Sequence, residues 1–142
     1  MSRSKLDNWF DAVPEIPDRI DHLLYSLDQV VVDGGLFLEF GVREGASANT
    51  IARHIYPRLL YGFDSFEGLP EDWVRSKDGS LTYPKGTFAM EGLPGVEENV
   101  RLVRGWFADT LPDFVREHPG TDRFHEHRFG FVQLRRYGAY GA

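Results

Sequence analysis

The chain has 142 residues, 42% of them apolar and 14% aromatic, which is enough for one domain with a buried core. It has no cysteine, so a disulfide framework and a thiolate metal site are both excluded. A formal net charge of -6 argues against nucleic acid as a partner, and no apolar run approaches the length of a membrane span.

The N-terminal part of the chain is predicted to consist of an arm followed by one helix. Residues 1–18 contain two prolines and are predicted to form a lead-in arm without a secretory signal, so we expect a cytoplasmic protein. From Asp18, a suitable N-cap, apolar residues recur at helical spacing as far as Val32. This pattern predicts a helix that covers one face of a sheet. His22 and Tyr25 are expected at its edge rather than in catalysis.

The next stretch is typical of a nucleotide-binding α/β unit. Leu36–Phe40 is an apolar run that stops at Gly41, a second glycine follows at Gly45, and a helix-like segment begins at Ser47. The pattern therefore predicts a central strand, a tight turn and a helix.

The spacing of the turn indicates which nucleotide it could hold. A dinucleotide pyrophosphate needs G-x-G-x-x-G, whereas here Gly41 and Gly45 are separated by three bulky residues. S-adenosylmethionine instead needs a tight turn, helix-start N–H groups for its carboxylate and an acid near its ammonium group. Glu39, Gly41, Gly45 and Ser47 are candidates for those roles. An acid followed by x-Gly at a strand end also occurs as ordinary turn chemistry.

A second acid is predicted at the same edge of the sheet. Residues 59–63 form an apolar strand that ends in Asp64 and Ser65, and Asp64 lies 23 residues after Gly41. This is the interval at which the acid closing a second parallel strand reaches the first turn. Its carboxylate could accept hydrogen bonds from both hydroxyls of a ribose. The alternative is a local Asx-turn. Asp64 and Ser65 are therefore candidate cofactor residues.

Residues 65–95 are too long for an ordinary connection. Loops of this length are usually functional or disordered, and the aromatics Trp73, Tyr83 and Phe88 predict a lid-like loop that packs on something.

A third strand and a short helix follow. Val100–Arg104 is predicted as the strand, and Trp106 behind it could flank an adenine ring or belong to the core. Asp109 or Thr110 is expected to cap a helix that reaches about Glu117, with Pro112 in its first turn.

The polar segment before the last strand contains three histidines, His118, His125 and His127. The His-x-His pair suggests a metal ligand set, but no other cluster has a recognised spacing, and solvated histidines are the more frequent case. We predict no metal site here. Residues 129–134 form a fourth, uncharged apolar strand.

Four sequence blocks occur in a specific order. They read Phe37-Leu38-Glu39-Phe40-Gly41-Val42, Tyr61-Gly62-Phe63-Asp64-Ser65-Phe66-Glu67-Gly68-Leu69-Pro70-Glu71-Asp72-Trp73, Lys85-Gly86-Thr87-Phe88 and Gly105-Trp106-Phe107-Ala108-Asp109-Thr110-Leu111-Pro112. They resemble the macrocin O-methyltransferase family, which are class I S-adenosylmethionine-dependent enzymes that methylate sugar hydroxyls of natural products.

The resemblance implies a Rossmann-like methyltransferase fold of the α/β class, with a parallel sheet in the strand order 3-2-1-4 and flanking helices. It also implies that Glu39, Gly41 and Ser47 surround the methionine end of the cofactor. Asp64 would bind the ribose, and the residues near Trp106 would lie by the adenine.

The segment after the fourth strand departs from the family. Family members carry acid-x-acid followed by leucine and tyrosine, and those acids help to hold a divalent cation, usually Mg²⁺. Here the segment reads Gln133-Leu134-Arg135-Arg136-Tyr137, without an acid, and two guanidinium groups would repel the ion. Because the family continues with further strands, residues 1–142 are expected to be a single, incomplete domain, truncated or frame-shifted.

The expected function is O-methylation of a sugar-containing small molecule with S-adenosylmethionine. One alternative is a catalytically inactive remnant or interaction module that keeps the cofactor-binding half. A second is an NAD(P)-linked oxidoreductase, which the turn spacing disfavours. No catalytic base is assigned. An exposed, apolar fourth strand would pair with another copy, so we expect a homo-oligomer.

Overall fold

The computed structural model describes residues 15–29, 35–74, 78, 80 and 82–119, together with the backbone of residues 129–131. The helices within these residues are α1 (Arg19–Asp28), α2 (Ala46–Ile55) and α3 (Phe107–Glu117). The strands are β1 (Leu36–Phe40), β2 (Leu60–Asp64), β3 (Trp73–Val74), β4 (Thr82–Tyr83), β5 (Val100–Arg104) and β6 (Phe129–Phe131).

The four strands predicted from the sequence form one parallel sheet. Its order is β5-β2-β1-β6, which confirms the expected order 3-2-1-4. The chain moves outward from β1 through β2 to β5 and then crosses to the other side of β1. The order therefore reverses at β1, and open α/β sheets bind ligands beyond the carboxyl ends of their strands at such a point.

Both faces of the sheet are covered, as expected for parallel strands. Phe37 of β1 packs with α1 and α2 on one face, whereas Leu38 packs with α3 on the other. The first cluster contains Leu23, Leu27, Phe37, Val42, Ala48, Ile51, Ala52, Ile55, Leu60, Phe66 and Val100. The second contains Leu38, Phe63 and Phe114. This double burial explains why β1 is apolar along its length except at Glu39.

Helix α1 begins as predicted and ends earlier. The Asp18 carboxylate accepts the N–H groups of Ile20 and Asp21 at 2.8 and 3.0 Å, as an N-cap does. The helix ends at Asp28, with Gln29 as its C-cap, short of the predicted end at Val32, which lies outside the described residues.

The predicted start of α3 is wrong. The helix begins at Phe107 with Trp106 as its N-cap, and the Trp106 side chain caps nothing. The amides of Asp109 and Thr110 both donate to the Trp106 carbonyl, each at 3.0 Å, so both lie inside the first turn. Pro112 therefore lies beyond that turn. Packing of Phe107 edge-on against Phe40, with their ring centres 5.3 Å apart, accompanies this earlier start.

The long loop between β2 and β5 contains structure that the sequence did not predict. Strands β3 and β4 pair antiparallel within it. Backbone hydrogen bonds of 2.9 Å join Leu69 to Thr87 and Met90 to Phe66, and the Phe66 side chain is buried in the core. The described part of the loop is therefore packed on the domain, and its action as a lid stays a prediction.

Several predictions fall outside the described residues. They concern residues 1–14, Val30–Val32, His125, His127 and residues 132–142, which include the segment Gln133-Leu134-Arg135-Arg136-Tyr137. Among the helices that the structure describes, none has the length and apolar character needed to cross a membrane.

Candidate functional site

The turn after β1 borders open space at the carboxyl end of the sheet. Gly41 and Gly45 have φ values of 90° and 82°, in the left-handed region that favours glycine. The Gly41 N–H donates to the Phe63 carbonyl at 2.8 Å, which ties the turn to β2. A Cβ placed on Gly41 would meet no atom within 4 Å. The predicted glycines therefore shape the turn, with open space beside Gly41, whereas Gly45 packs against Pro94 and Val96.

Glu39 and Ser47 lie together beneath this turn. Glu39 is fully buried, and the Ser47 hydroxyl donates to Glu39 Oε1 at 2.6 Å. The bond joins the end of β1 to the first turn of α2. The structure thus brings two predicted cofactor residues together and gives them a structural role, while their contact with a cofactor stays a prediction.

Gly62 in β2 allows the turn after β1 to pack directly against the sheet. Val42 is fully buried, and a Cβ on Gly62 would lie only 2.7 Å from Val42 Cγ2. The turn can approach β2 this closely because residue 62 has no side chain. Sequence reasoning did not identify Gly62, since a glycine inside an apolar strand has several explanations.

Asp64 connects the turn, its own loop and β5. Its Oδ2 accepts the Arg43 N–H at 2.8 Å, and its Oδ1 accepts the Phe66 N–H at 2.8 Å. Its carbonyl oxygen accepts the Gly105 N–H at 3.0 Å. The bond to Phe66 is that of an Asx-turn, so this alternative is present in the structure. Each carboxylate oxygen can still accept a second hydrogen bond, and ribose binding therefore remains compatible with the turn.

Ser65 directly follows Asp64 at the end of β2, and Trp106 follows the end of the neighbouring strand β5. Ser65 is buried, and its hydroxyl accepts the Glu67 N–H at 3.1 Å, which gives it a local turn role. Trp106 is half-buried at the end of β5 and does not belong to either buried core cluster. Its predicted place beside an adenine stays a prediction.

Arg43 is the residue at this edge that sequence reasoning missed. It has a φ of 49°, unusual for a residue with a side chain. Its guanidinium lies 5.0 Å from the centre of the Phe88 ring and 2.9 Å from the Glu44 carboxylate. The Phe88 ring lies 5.7 Å from Tyr83, which lies 5.7 Å from Trp73. The contact between Phe88 and Arg43 thus joins these aromatics of the long loop to the turn after β1.

The residues that the structure describes do not by themselves form a Mg²⁺ site. Across the described part of the chain, no three His, Cys, Asp or Glu side chains are grouped so as to hold a metal ion. His118 packs on Phe114, with ring centres 4.1 Å apart, and its Nδ1 lies 2.8 Å from the Phe114 carbonyl oxygen. The segment where the family carries its acids has none in this sequence and lies outside the described residues. The predicted absence of a metal stays a prediction.

The edge as a whole offers two kinds of polar partner. The carboxylate of Asp64 can accept hydrogen bonds from hydroxyl groups. The first N–H groups of α2 follow Gly45, an N-cap without a side-chain acceptor, and they favour a negatively charged group. Such an edge suits a ligand that carries both a diol and a carboxylate.

Comparison with known sequences decides the family. The profile described as Macrocin-O-methyltransferase (TylF) matches residues 16–119. The chain belongs to the macrocin O-methyltransferase family. S-adenosylmethionine is the cofactor that this methyltransferase family implies. The match includes every predicted cofactor residue, and the fold described above agrees with the class that the sequence predicted.

Individual relatives of this macrocin O-methyltransferase domain come from natural-product biosynthesis. It is 33% identical over 116 residues to the 8-demethyl-8-(2,3-dimethoxy-alpha-L-rhamnosyl)-tetracenomycin-C 4'-O-methyltransferase of Streptomyces olivaceus. That alignment covers 66% of this chain and 44% of the relative, so the chain spans less than half of the relative's length. The crystal structure of CalS11, a calicheamicin methyltransferase, matches with a TM-score of 0.48 and 24% identity, over 83% of this chain and 57% of that one.

Proposed function

We propose that this domain binds S-adenosylmethionine at the carboxyl ends of β1, β2 and β5 and serves the O-methylation of a sugar hydroxyl on a natural product. The observation that carries the proposal is the Asp64 carboxylate. Both of its oxygens are fixed by backbone N–H groups, from Arg43 and Phe66, at the edge where Gly41 leaves open space.

The adenosine end of the cofactor is assigned to Asp64. A ribose presents two adjacent hydroxyl donors, and a carboxylate with two oxygens in a fixed orientation accepts both. Since the Arg43 and Phe66 amides hold the carboxylate before a ligand arrives, little orientational freedom would be lost on binding. Trp106, at the end of the adjacent strand β5, is the candidate neighbour of the adenine.

The methionine end is assigned to the turn and the start of α2. Its carboxylate would face the N–H groups that follow Gly45, and Gly41 would let the cofactor approach the backbone. Glu39 and Ser47, which bond to each other beneath the turn, would act here by holding α2 at the end of β1.

Catalysis requires more than cofactor binding. When bound, the cofactor would supply an electrophilic methyl group: the C–S bond would break as a C–O bond to the acceptor forms, and the acceptor's hydroxyl proton would pass to a base. Most of the acceleration comes from alignment of oxygen and methyl and from removal of that proton. No base is assigned among the residues described. The sugar-containing acceptor is proposed from the family, and association into oligomers stays a prediction.

A catalytically inactive remnant is the second candidate. The observation that favours it is the sequence Gln133-Leu134-Arg135-Arg136-Tyr137, which lacks the acids of the family. Such a chain would bind S-adenosylmethionine and transfer no methyl group. Cofactor binding and methyl transfer must therefore be measured separately.

The test is a calorimetric titration of the purified chain with S-adenosylmethionine, beside the variant Asp64→Asn. We expect the wild type to bind and the variant to bind at least about ten-fold more weakly, a loss of about 1.4 kcal/mol, because an amide has one acceptor oxygen and no charge.

The matched control is Asp28→Asn at the C-terminal end of α1, where the carboxylate lies 2.8 Å from the His54 ring. This variant should bind like the wild type, and thermal unfolding of all three proteins would show that each is folded. Equal affinity in the Asp64 variant would contradict the proposal. Binding of reduced nicotinamide dinucleotide instead would favour the oxidoreductase alternative.

A further inference from the structure

We propose that Arg43 is a positioning residue: its side chain holds residue 43 in the left-handed conformation that aims the residue's own N–H at Asp64. The inference rests on the proposed role of Asp64 in cofactor binding. It assigns a function to a side chain that need not touch the cofactor at all.

The backbone of residue 43 is unfavourable for arginine. Its φ is 49°, and the left-handed region is uncommon for residues other than glycine, asparagine and aspartate. Gly41 and Gly45 on either side also have positive φ values, but without a Cβ they adopt them easily. Arg43 is therefore the residue of the turn whose backbone conformation needs support from elsewhere.

The conformation has a direct consequence at the proposed cofactor site. The Arg43 N–H donates to Asp64 Oδ2 at 2.8 Å, while the other carboxylate oxygen is held from within its own loop by Phe66. A right-handed φ at residue 43 would rotate its N–H relative to the chain that follows. Because Ala48 and Ile51 hold α2 in the core, the N–H would then move away from Asp64. The carboxylate would then keep its local Asx-turn and lose the bond that fixes it against the turn.

The side chain of Arg43 supplies the support. Its guanidinium lies 5.0 Å from the centre of the Phe88 ring, within the range of a cation–π contact. A second contact, of 2.9 Å, joins it to Glu44. Its Nε is buried and has no hydrogen-bond acceptor among the described residues, whereas the side chain as a whole is 37% exposed.

Phe88 is held in turn by its neighbours in the loop. Its ring is tilted by 35° against that of Tyr83, with ring centres 5.7 Å apart, and Tyr83 makes a similar tilted contact with Trp73. Phe88 also has a positive φ, 74°, and the residue is 40% exposed.

The test compares two substitutions at residue 43 that remove the same contacts. Alanine removes the side chain and keeps the penalty for positive φ, whereas glycine removes both. We expect Arg43→Ala to weaken binding of S-adenosylmethionine about three- to ten-fold. Arg43→Gly should stay within about two-fold of the wild type, because glycine holds the turn without support. Arg53→Ala, which removes the exposed arginine paired with Glu97, is the control and should leave the affinity unchanged.

A second readout does not depend on the cofactor. An amide proton that donates to a carboxylate resonates downfield, so the ¹H–¹⁵N signal of residue 43 reports its bond to Asp64. We expect the downfield shift in the wild type and in Arg43→Gly, and its loss in Arg43→Ala. The single substitution Phe88→Ala should reduce this downfield shift. The same substitution made in Arg43→Gly should leave the shift unchanged.

The outcomes separate this inference from the proposed function. Equal loss of affinity in Arg43→Ala and Arg43→Gly would overturn positioning and indicate that the guanidinium contacts the ligand. An unchanged signal and affinity in Arg43→Ala would also overturn it. If the wild type binds no S-adenosylmethionine, the proposed function fails, and the amide signal alone still decides whether the side chain positions the N–H.

Discussion

Replacement of Gly68 by alanine is expected to lower the free energy of unfolding by about 3 kcal/mol or more, the largest effect of any substitution proposed for this chain. Gly68 has a φ of 79°, and a Cβ there would overlap the Thr87 carbonyl oxygen and lie 2.5 Å from the Gly86 oxygen and 2.7 Å from the Ala89 nitrogen. All three atoms belong to the backbone, so no side chain can move aside. Urea unfolding followed by circular dichroism measures the effect.

Gly86 provides the matched control. Its φ of 81° is nearly the same, but a Cβ on Gly86 would meet nothing within 4 Å. Gly86→Ala should therefore lower the free energy of unfolding by only about 1 kcal/mol, the cost of a positive φ for a residue that has a Cβ. Equal losses in the two variants would contradict the close approach of residues 86–89 to Gly68, and with it the packing of the long loop.

Ser47→Ala is expected to lower the free energy of unfolding by about 1.5–3 kcal/mol, as for a buried hydrogen bond to an acidic group. The Ser47 hydroxyl donates to Glu39 at 2.6 Å, and Glu39 is fully buried. Without that donor the carboxyl group loses a partner in a place that water does not reach. The free energy of unfolding in urea is again the measurement.

Thr50→Ala, on the same helix, is the control for this effect. The Thr50 hydroxyl donates to the Ala46 carbonyl on the exposed side of α2, at 3.0 Å. Its removal should change stability by no more than about 0.5 kcal/mol. Similar, small losses for the two substitutions would show that the Glu39 bond does not fasten α2 to the end of β1.

The sheet could be predicted because its signals are local and strong. Three short apolar runs correspond to β1, β2 and β6, the alternating segment Val100–Arg104 corresponds to β5, and the resemblance supplied their order. β5 even has the predicted bounds, Val100–Arg104. A buried strand needs apolar residues on both faces, so the sequence marks it clearly.

The start of α3 could not be predicted from capping residues. Asp109 and Thr110 have the side chains that usually cap a helix, yet the helix begins at Phe107. Phe107 packs against Phe40, and Gly105 directly before the helix has a φ of 140°. The start of α3 therefore follows a tertiary contact between residues distant in sequence, Phe40 and Phe107, which overrides the local preference for a capping side chain. Strands β3 and β4, with two residues each, are too short to show any periodicity.

The candidate site was only partly predictable for a related reason. The residue types at Glu39, Gly41, Ser47 and Asp64 indicated a cofactor edge, because their chemistry and spacing are local. That Ser47 would bond to Glu39, and that Phe88 would reach the turn through Arg43, depends on how separate segments meet. The residue type at position 43 also gives no indication that its backbone adopts a positive φ.

The measurement that tests the central claim most directly is a cycle of four titrations. S-adenosylhomocysteine and its 2′-deoxy analogue are each titrated into the wild type and into Asp64→Asn. Removal of the hydroxyl should weaken binding to the wild type about ten-fold and binding to the variant much less, because the variant has already lost the charged acceptor of that hydroxyl. Equal losses in both proteins would mean that Asp64 does not bind the ribose and would contradict the account.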